Sequence, residues 1–486
     1  MNDFVLYLRR AVLLVFCAVA CGESLCARKP VSYLTDSIPR RWTPDTMFLQ
    51  TLPTDDRWWR DLNDPCLDSL ISLAVRNNYD VLVAANRIRV AKAALRMQQS
   101  EYYPSLDFSA GWTKSRASGN LTGSTQPNSE TQYASGDLSM SWEIDLFGSV
   151  RQRAKAKKEL YRASREEYYG AMVALCAQVA TTYTMLRTYQ QQYVAAEGHI
   201  NSQKAVMQIV EARYKAGLVS QLDVAQSRTV YYNTLASLAL LEGSIQQQMN
   251  ILAVLSGLYP HQLQPVLEVP RPLPEYLRLV SVGVPMNLVR RRPDIRQAER
   301  TIASYAAMAG ASRSDFLPKL QINGSIGFAA RDMDRLFREE SLTYQIAPVL
   351  TWSIFQGTSR FQALSSAKAE VEIAIEQYNQ TVLTAMQEVE NAMTAYTHSI
   401  RQIQTLEKLL EEANRVLTLA IDLYKRGLTD YQTVLDSQRS VFTYQNTFVA
   451  AQGTTLRNLI LLYEALGGGW DAAMAVSYTH LRAHET

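Results

Sequence analysis

Proline is missing from two long stretches of this 486-residue chain: none stands between Pro127 and Pro260, and none after Pro348. A proline inside a helix removes a hydrogen bond and clashes with the preceding turn, so these stretches permit very long helices. Cysteine is scarce too. Of five, Cys17, Cys21 and Cys26 crowd the N-terminus, which leaves Cys66 and Cys176 in the body and excludes a disulfide framework. Both body cysteines stand among helical residues and read as core. Charge of one sign is lacking: 49 basic and 46 acidic residues leave a net charge of +3, which implies no nucleic-acid partner. Beyond the N-terminus no apolar window reaches ~18 residues, so no helix spans a bilayer. A soluble chain, an anchored one or a membrane β-barrel remain, since barrel strands carry weak hydropathy signals. His199, His261 and His398 are scattered, with no metal-ligand spacing, phosphate loop or nucleophile elbow. An enzyme therefore has no residues to rest on, and no cofactor is expected.

The N-terminus reads as an export signal. Arg9 and Arg10 precede a short apolar core, Ala11 to Ala20, and Ala18, Val19 and Ala20 form a small-residue cleavage site. Cys21 follows at once, which makes it the candidate lipidated first residue after a signal peptide over 1–20. The alternative is an ordinary signal peptide cut after Ala20. Cys17 and Cys26 follow the bulky Phe16 and Leu25 and are poorer candidates.

What is present is written twice. Trp142, Gly148 and Arg151 return as Trp352, Gly357 and Arg360; Tyr214, Gly217 and Leu218 return as Tyr424, Gly427 and Leu428; Pro104 and Leu106 return as Pro318 and Leu320. The offset is about 210 positions, far too long for a solenoid unit, so the chain is a duplicated half-molecule. One half occupies 65–270 and the other 285–470, after a linker over 21–64 and before a tail over 471–486. That tail shows no periodic pattern and reads as disordered or foreign.

Each half opens its proline-free stretch with one long predicted helix, about Ser149 to Ala216 and Thr358 to Arg426. Val371, Ile375, Tyr378, Val382, Met386, Val389, Met393, Tyr396, Ile400 and Ile403 recur at steps of three and four, a coiled-coil seam. So narrow a stripe leaves the helix wet on two sides. Gly217 and Gly427 then fit left-handed caps, and shorter helices return over about Ser220 to Leu255 and Asp430 to Leu466. Each half thus contains a long antiparallel hairpin with a tight tip.

Four segments alternate with period two. Their apolar sets are Leu106, Phe108, Ala110 and Trp112; Leu138, Met140, Trp142, Ile144 and Leu146; Leu320, Ile322, Ile326 and Phe328; and Tyr344, Ile346, Leu350, Trp352 and Ile354. Each is about ten residues, the length of a tilted membrane strand. The loop after the first is rich in Gly, Ser, Thr and Asn, as an external loop would be. An ordinary sheet would need a core over its apolar face, and no sequence remains to supply one. A purely structural coiled-coil protein would explain the helices but not the strands or the signal. Pro348, mid-strand, predicts a bulge or ladder defect. Four strands cannot close a barrel and lipid cannot satisfy their edges, so the chain must oligomerise. Three copies would supply twelve strands.

With these residues in hand, the chain resembles the outer-membrane factors of the TolC superfamily, specifically the NodT-type outer-membrane lipoproteins of efflux systems. The resemblance runs from about Arg41 to Trp470. Leu288, Arg291, Arg292, Pro293, Asp294 and Ile295 with Ala298 and Glu299 carry it, together with Trp142 to Gly148 and with Arg213, Tyr214, Gly217, Leu218, Leu222, Asp223 and Val224. Read from the residues alone, Pro293 and Asp294 suit the first turn of a helix. The resemblance implies a mainly α protomer with four membrane strands and long coiled-coil hairpins. Three such protomers would form a twelve-strand β-barrel in the outer membrane above an α-helical periplasmic tunnel. It also implies a periplasmic adaptor and an inner-membrane pump as partners, and export of drugs or other toxic small molecules. Metal efflux and type I protein secretion are the alternatives, and no His or Met cluster favours metals. By the same resemblance, Gly217, Leu218, Val219 and Ser220 with Gly427, Leu428 and Thr429 would dock the adaptor. Asp223, Tyr424 and Asp436 would form the periplasmic gate, with a Tyr424–Asp223 hydrogen bond. Thr433 stands at an often acidic position and Thr429 replaces a frequent arginine, which weakens the expected lock. A solvated, capped helix end is the plain alternative for all these residues.

Overall fold

The computed structural model describes residues 42, 48–49, 57–116, 130–275, 280–283, 285 and 291–469. The export signal over 1–20, Cys21, the loop after the first strand and the tail over 471–486 lie outside the described residues. The long elements are helices α1 (Pro65–Asn77) and α2 (Tyr79–Ser100), strands β1 (Ser105–Arg116) and β2 (Glu130–Ile144), and helices α3 (Ser149–Lys215) and α4 (Gln221–Leu255). The second half follows with α5 (Pro293–Ser314), β3 (Lys319–Ala330), β4 (Leu342–Thr351), α6 (Ser359–Lys425) and α7 (Tyr431–Ala465).

The duplication is exact in length at the hairpins. α3 and α6 each run 67 residues, and α4 and α7 each run 35. At 1.5 Å per residue the long helices span about 100 Å. The predicted seam is the packed side of α6: Tyr378, Val382, Val389, Met393, Tyr396, Ile400 and Ile403 are buried, while Val371, Ile375 and Met386 are partly so. Apolar burial concentrates in two places. The larger core joins Trp58, Trp59 and Leu67 to Tyr183, Leu252, Ile295, Leu459 and Tyr463. A small core of Val206, Val210, Val224, Tyr424, Tyr431, Val434 and Leu435 sits at the tips. Cys66 and Cys176 are buried free thiols, and burial pushes the Cys176 thiol up to about 12.

Paired contacts recur between the halves where helices meet strands and where helices meet each other. Trp142 Nε1 donates to the Tyr102 carbonyl, and Trp352 Nε1 to the Phe316 carbonyl, each at 3.1 Å. These bonds tie the end of each hairpin's second strand to the chain entering its first strand. Lower down, Asn78 Nδ2 donates to the Leu255 carbonyl at 3.0 Å, and Arg292 Nη1 to the Ala465 carbonyl at 2.9 Å. Each bond satisfies one of the carbonyls orphaned at a helix C-terminus. Arg292 also holds Asp294 at 2.7 Å and Glu388 at 2.6 Å. The arginine motif therefore joins the ends of α5 and α7 to the middle of α6. Pro293 opens α5 with no backbone donor to lose, and Asp294 accepts from the Ile295 amide.

The four strands form one antiparallel sheet in the order β1-β2-β3-β4. Pro348 causes no bulge, contrary to the sequence expectation. It pairs with Ile322 in a register unbroken from Lys319–Thr351 to Phe328–Leu342. Within the protomer β4 is an edge strand, the place in a sheet where proline is tolerated.

Gly257 and Gly467 follow α4 and α7 with φ of 69° and 72°. A Cβ at Gly257 would stand 2.5 Å from the Asn77 carbonyl oxygen, whereas one at Gly217 (φ 72°) would meet open space. Gly217→Ala should therefore cost about 1 kcal/mol, the left-handed penalty alone. Gly257→Ala should cost about 2–3 kcal/mol, because backbone must also move. The midpoint of thermal unfolding followed by circular dichroism in detergent should fall further for Gly257→Ala. Equal midpoints for the two variants would contradict the close packing.

Candidate functional site

Two surfaces carry the candidate function, and they stand at opposite ends of the long helices. The first is the sheet. Its register stacks apolar residues on one face: Phe108 opposite Leu138, Leu138 opposite Ile326, and Ile326 opposite Tyr344. The next row stacks Leu106, Met140, Gly324 and Ile346. Among the described residues no element covers this face at its outer strands. Phe108 is 75% exposed, Tyr344 77% and Ile346 79%. Soluble proteins rarely expose an apolar surface so continuous, and its position between tryptophan-tied strand ends suits lipid.

The opposite face is polar and lightly charged. Ser109 Oγ donates to Asp137 at 2.9 Å, and Gln321 Nε2 donates to the Ser141 hydroxyl at 2.9 Å. Ser139 pairs with Ser325, and Ser325 with Gln345. Apolar outward and hydroxyl- or amide-lined inward is the pattern of a strand set between lipid and a wet lumen. β1 and β4 each have only one ladder neighbour, so both edges are open within the protomer.

The second surface is the pair of hairpin tips. Gly427 closes α6 with φ 76°; its amide donates to the Tyr424 carbonyl at 3.0 Å, and the Leu428 amide to the Leu423 carbonyl at 2.9 Å. Gly217 and Leu218 repeat both bonds on α3. This is a Schellman cap, which needs the left-handed residue that glycine supplies at no steric cost. The cap throws the next side chain outward, so Leu218 is 66% and Leu428 70% exposed. Val219 is half-buried and packs on the tip core.

The returning helices are capped in opposite senses. In α4, Ser220 and Asp223 form a capping box, with the Asp223 carboxylate accepting from the Ser220 amide at 3.1 Å. In α7, Asp430 is the cap and Thr433 takes the place of Asp223. The Thr433 amide and hydroxyl both donate to Asp430, at 3.1 and 2.8 Å, and these bonds hold the Asp430 carboxyl below its usual range. Thr429 Oγ1 donates to Thr433 Oγ1 at 3.2 Å. The two threonines that depart from the family pattern thus serve the cap. Asp436, exposed, accepts from Gln432 Nε2 at 3.1 Å through both carboxylate oxygens, with Arg439 at 3.9 Å.

The expected hydrogen bond from Tyr424 to Asp223 is not formed. The Tyr424 hydroxyl is buried with no hydrogen-bond partner among the described residues, and Asp223 is engaged in its own cap. What holds Tyr424 is Arg213. Its Nη1 donates to the Tyr424 carbonyl at 2.6 Å and to the Lys425 carbonyl at 3.4 Å, while its guanidinium carbon lies 4.7 Å from the centre of the Tyr424 ring. The Tyr424 ring also leans on Tyr431 at 5.6 Å. Burial raises both phenols, Tyr431 to about 12, so both are protonated at neutral pH. Arg213 carries part of the sequence resemblance, yet sequence alone assigns it no task. The available signal is a break in the repeat: the position 210 residues after Arg213 is Leu423.

Comparison with known proteins gives the same architecture. The family model described as outer membrane efflux protein matches residues 70–258 and 284–468. The solvent efflux pump outer membrane protein SrpC of Pseudomonas putida is 31% identical over 417 residues, 84% of this chain and 87% of that protein. The pyoverdine export outer membrane protein OpmQ of Pseudomonas putida is 32% identical over 444 residues, 89% of this chain and 92% of that protein. Among solved structures, the outer-membrane channel OprN superposes with a TM-score of 0.84 at 27% identity, over 92% of this chain and all of that one. The matched residues take in both halves of the duplication, the bare membrane face and both tips: the chain belongs to the outer membrane efflux protein family and is an outer-membrane efflux channel.

Proposed function

We propose that this chain is the outer-membrane duct of a tripartite exporter of small organic molecules, with three copies closing one barrel of twelve strands. The single observation that carries this reading is the bare apolar face of β1–β4 between two unpaired edges. Lipid satisfies the face but not the edges, and further copies of the same sheet satisfy both. Support for the cargo class comes from the relatives, whose names refer to solvents and pyoverdine. A lumen of hydroxyls and amides passes such solutes without holding them, so selection falls to the inner-membrane pump.

The tips are read as the periplasmic entrance and the adaptor site. Leu218 and Leu428 present apolar side chains beside Gly217, Val219, Ser220, Gly427 and Thr429, at the end of the hairpins farthest from the sheet. Asp223, Tyr424 and Asp436 line the same end, and in a trimer three copies of Asp436 would converge. Such a ring of carboxylates, each with Arg439 3.9 Å away, would draw cations into the mouth.

Planar-bilayer recording tests the duct. The purified protein should give unitary, cation-preferring conductance, and Asp436→Asn should lower the cation preference while leaving the open conductance in place. Absence of any unitary conductance would reject the duct, and an unchanged preference would remove Asp436 from the mouth.

Cys21 is read as the acylated first residue of the mature chain. Mass spectrometry of the mature N-terminus should find a lipidated Cys21, and a terminus that is unmodified or starts elsewhere would reject the anchor. Cys21→Ser should still insert, since barrel burial far outweighs acyl chains worth ~0.8 kcal/mol per buried methylene.

A further inference from the structure

We propose that the cavity at the N-terminus of α5 binds an amphipathic amine, a primary ammonium group carried on an apolar body. The cavity measures about 590 Å³ and opens where α5 begins between α3, α6 and α7. Sites for small organic molecules typically hold about 300–1,000 Å³ and pair apolar walls with a few placed polar groups. Here Gly170, Val173 and Ala174 of α3, Ala392 and Ala395 of α6 and Leu461 of α7 supply the apolar walls. Glu388 and Asn391 of α6 and Asn458 and Glu464 of α7 supply the polar groups, with Arg292 and Asp294 at the start of α5.

The charges of the lining do not balance. Arg292 is its one basic residue, against Asp294, Glu388 and Glu464. Arg292 donates to Asp294 at 3.0 and 2.7 Å, to Glu388 at 2.6 Å and to the Ala465 carbonyl at 2.9 Å. Glu464 receives none of these bonds. Burial and the neighbouring Glu388 charge push its carboxyl above the usual range, although Arg292 pulls the other way. A half-buried carboxylate in this state gains most from a ligand that brings its own positive charge and N–H donors. Asn458 Nδ2 donates to the Ala395 carbonyl at 3.2 Å, which leaves Asn458 Oδ1 free to accept from an ammonium group. A bare metal ion suits the cavity less. Among the described residues no three His, Cys, Asp or Glu side chains could share one, and the apolar walls offer it no ligands.

The internal repeat shows that the fold itself does not require this cavity. α3 and α6 begin at 149 and 359, and α4 and α7 at 221 and 431, so one offset of 210 relates both pairs. At that offset Glu388 corresponds to Gln178 and Glu464 to Val254, so both carboxylates are lost. Gly170, Ala174 and Ala395 correspond to Gln380, Thr384 and Met185, so each small wall residue is replaced by a larger one. The helix lengths and the capping contacts of Asn78 and Arg292 are nonetheless matched. Space and negative charge thus arise together in one set of positions and vanish together in the other. A binding site requires that pairing, and a packing gap inherited from the fold would not produce it.

The test is equilibrium binding of dansylcadaverine, a primary amine whose fluorescence rises in apolar surroundings, to the full chain in phosphatidylcholine nanodiscs at neutral pH. Binding should be saturable, and the N-acetylated probe, which has the same body without the charge, should bind about tenfold more weakly or worse. Glu464→Gln keeps the shape and removes the charge, and should weaken the amine by a similar factor. Ala395→Leu and Ala174→Leu fill the cavity from the α6 and α3 sides with every charge in place, and should do the same. Both alanines are exposed, so the thermal midpoints should stay at wild-type values. Should one filled variant fail to assemble, the other decides. Absence of saturable binding to the wild type, equal binding of the acetylated probe, or wild-type affinity in Glu464→Gln or in the filled variants would each overturn the site. The measurement reads no current, so a channel silent in planar bilayers would overturn the duct and leave this site standing.

Discussion

A sheet edge cannot be left open in lipid. Each unpaired amide or carbonyl in hydrocarbon costs several kcal/mol, because no water is there to replace the missing partner. β1 and β4 present two such edges on a four-strand sheet whose apolar face is already committed to the bilayer. Everything else follows from that commitment. The alternation along β1–β4 sends Ser, Asn and Gln to the inner face, and so requires an enclosed wet space for them. Closure by repetition is the economical solution for a chain that already carries its own internal repeat.

The duplication then dictates the helical part. Two helical hairpins of equal length hang below two strand pairs of matching register, tied by Trp142 and Trp352 through identical 3.1 Å bonds. The helices below gather their large apolar side chains at two levels, as expected of a wall rather than a globular core. At the upper level, Asn78 and Arg292 do the same task with different chemistry, each capping the helix that returns from the tip. The halves are therefore equivalent in backbone and unequal in charge. At the tips the inequality reappears as Arg213 against Leu423, and Ser220 with Asp223 against Asp430 with Thr433.

Much of this was legible in the sequence, because it rests on local rules. Missing proline, a stripe at steps of three and four, and glycine at the turns placed α3, α4, α6 and α7 to within a residue or two. Period two placed the strands and their lipid face. What sequence could not show is contact between residues about 210 apart. The bulge expected at Pro348 is absent because β4 is the edge strand of the protomer's sheet, a place in the strand order that its own residues do not reveal. The Tyr424–Asp223 bond failed because Asp223 is taken by its own capping box and Arg213 arrives from the other hairpin. Pro293 and Asp294 read as the start of a helix, while the ties of Arg292 to Glu388 and Ala465 needed the fold.

Edge-to-edge closure is the central claim, and cysteine cross-linking in intact outer membranes tests it most directly. Within one protomer the two edges lie about 14 Å apart at ~4.8 Å per strand step, too far for a disulfide. In a background lacking Cys66 and Cys176, Ser109→Cys on β1 would be paired with cysteines stepped through Thr343, Gln345 and Ala347 on β4. Threefold closure predicts that one register yields covalent dimers and trimers and nothing larger. Cross-links that are absent at every register, that stop at dimers, or that extend beyond trimers would contradict it.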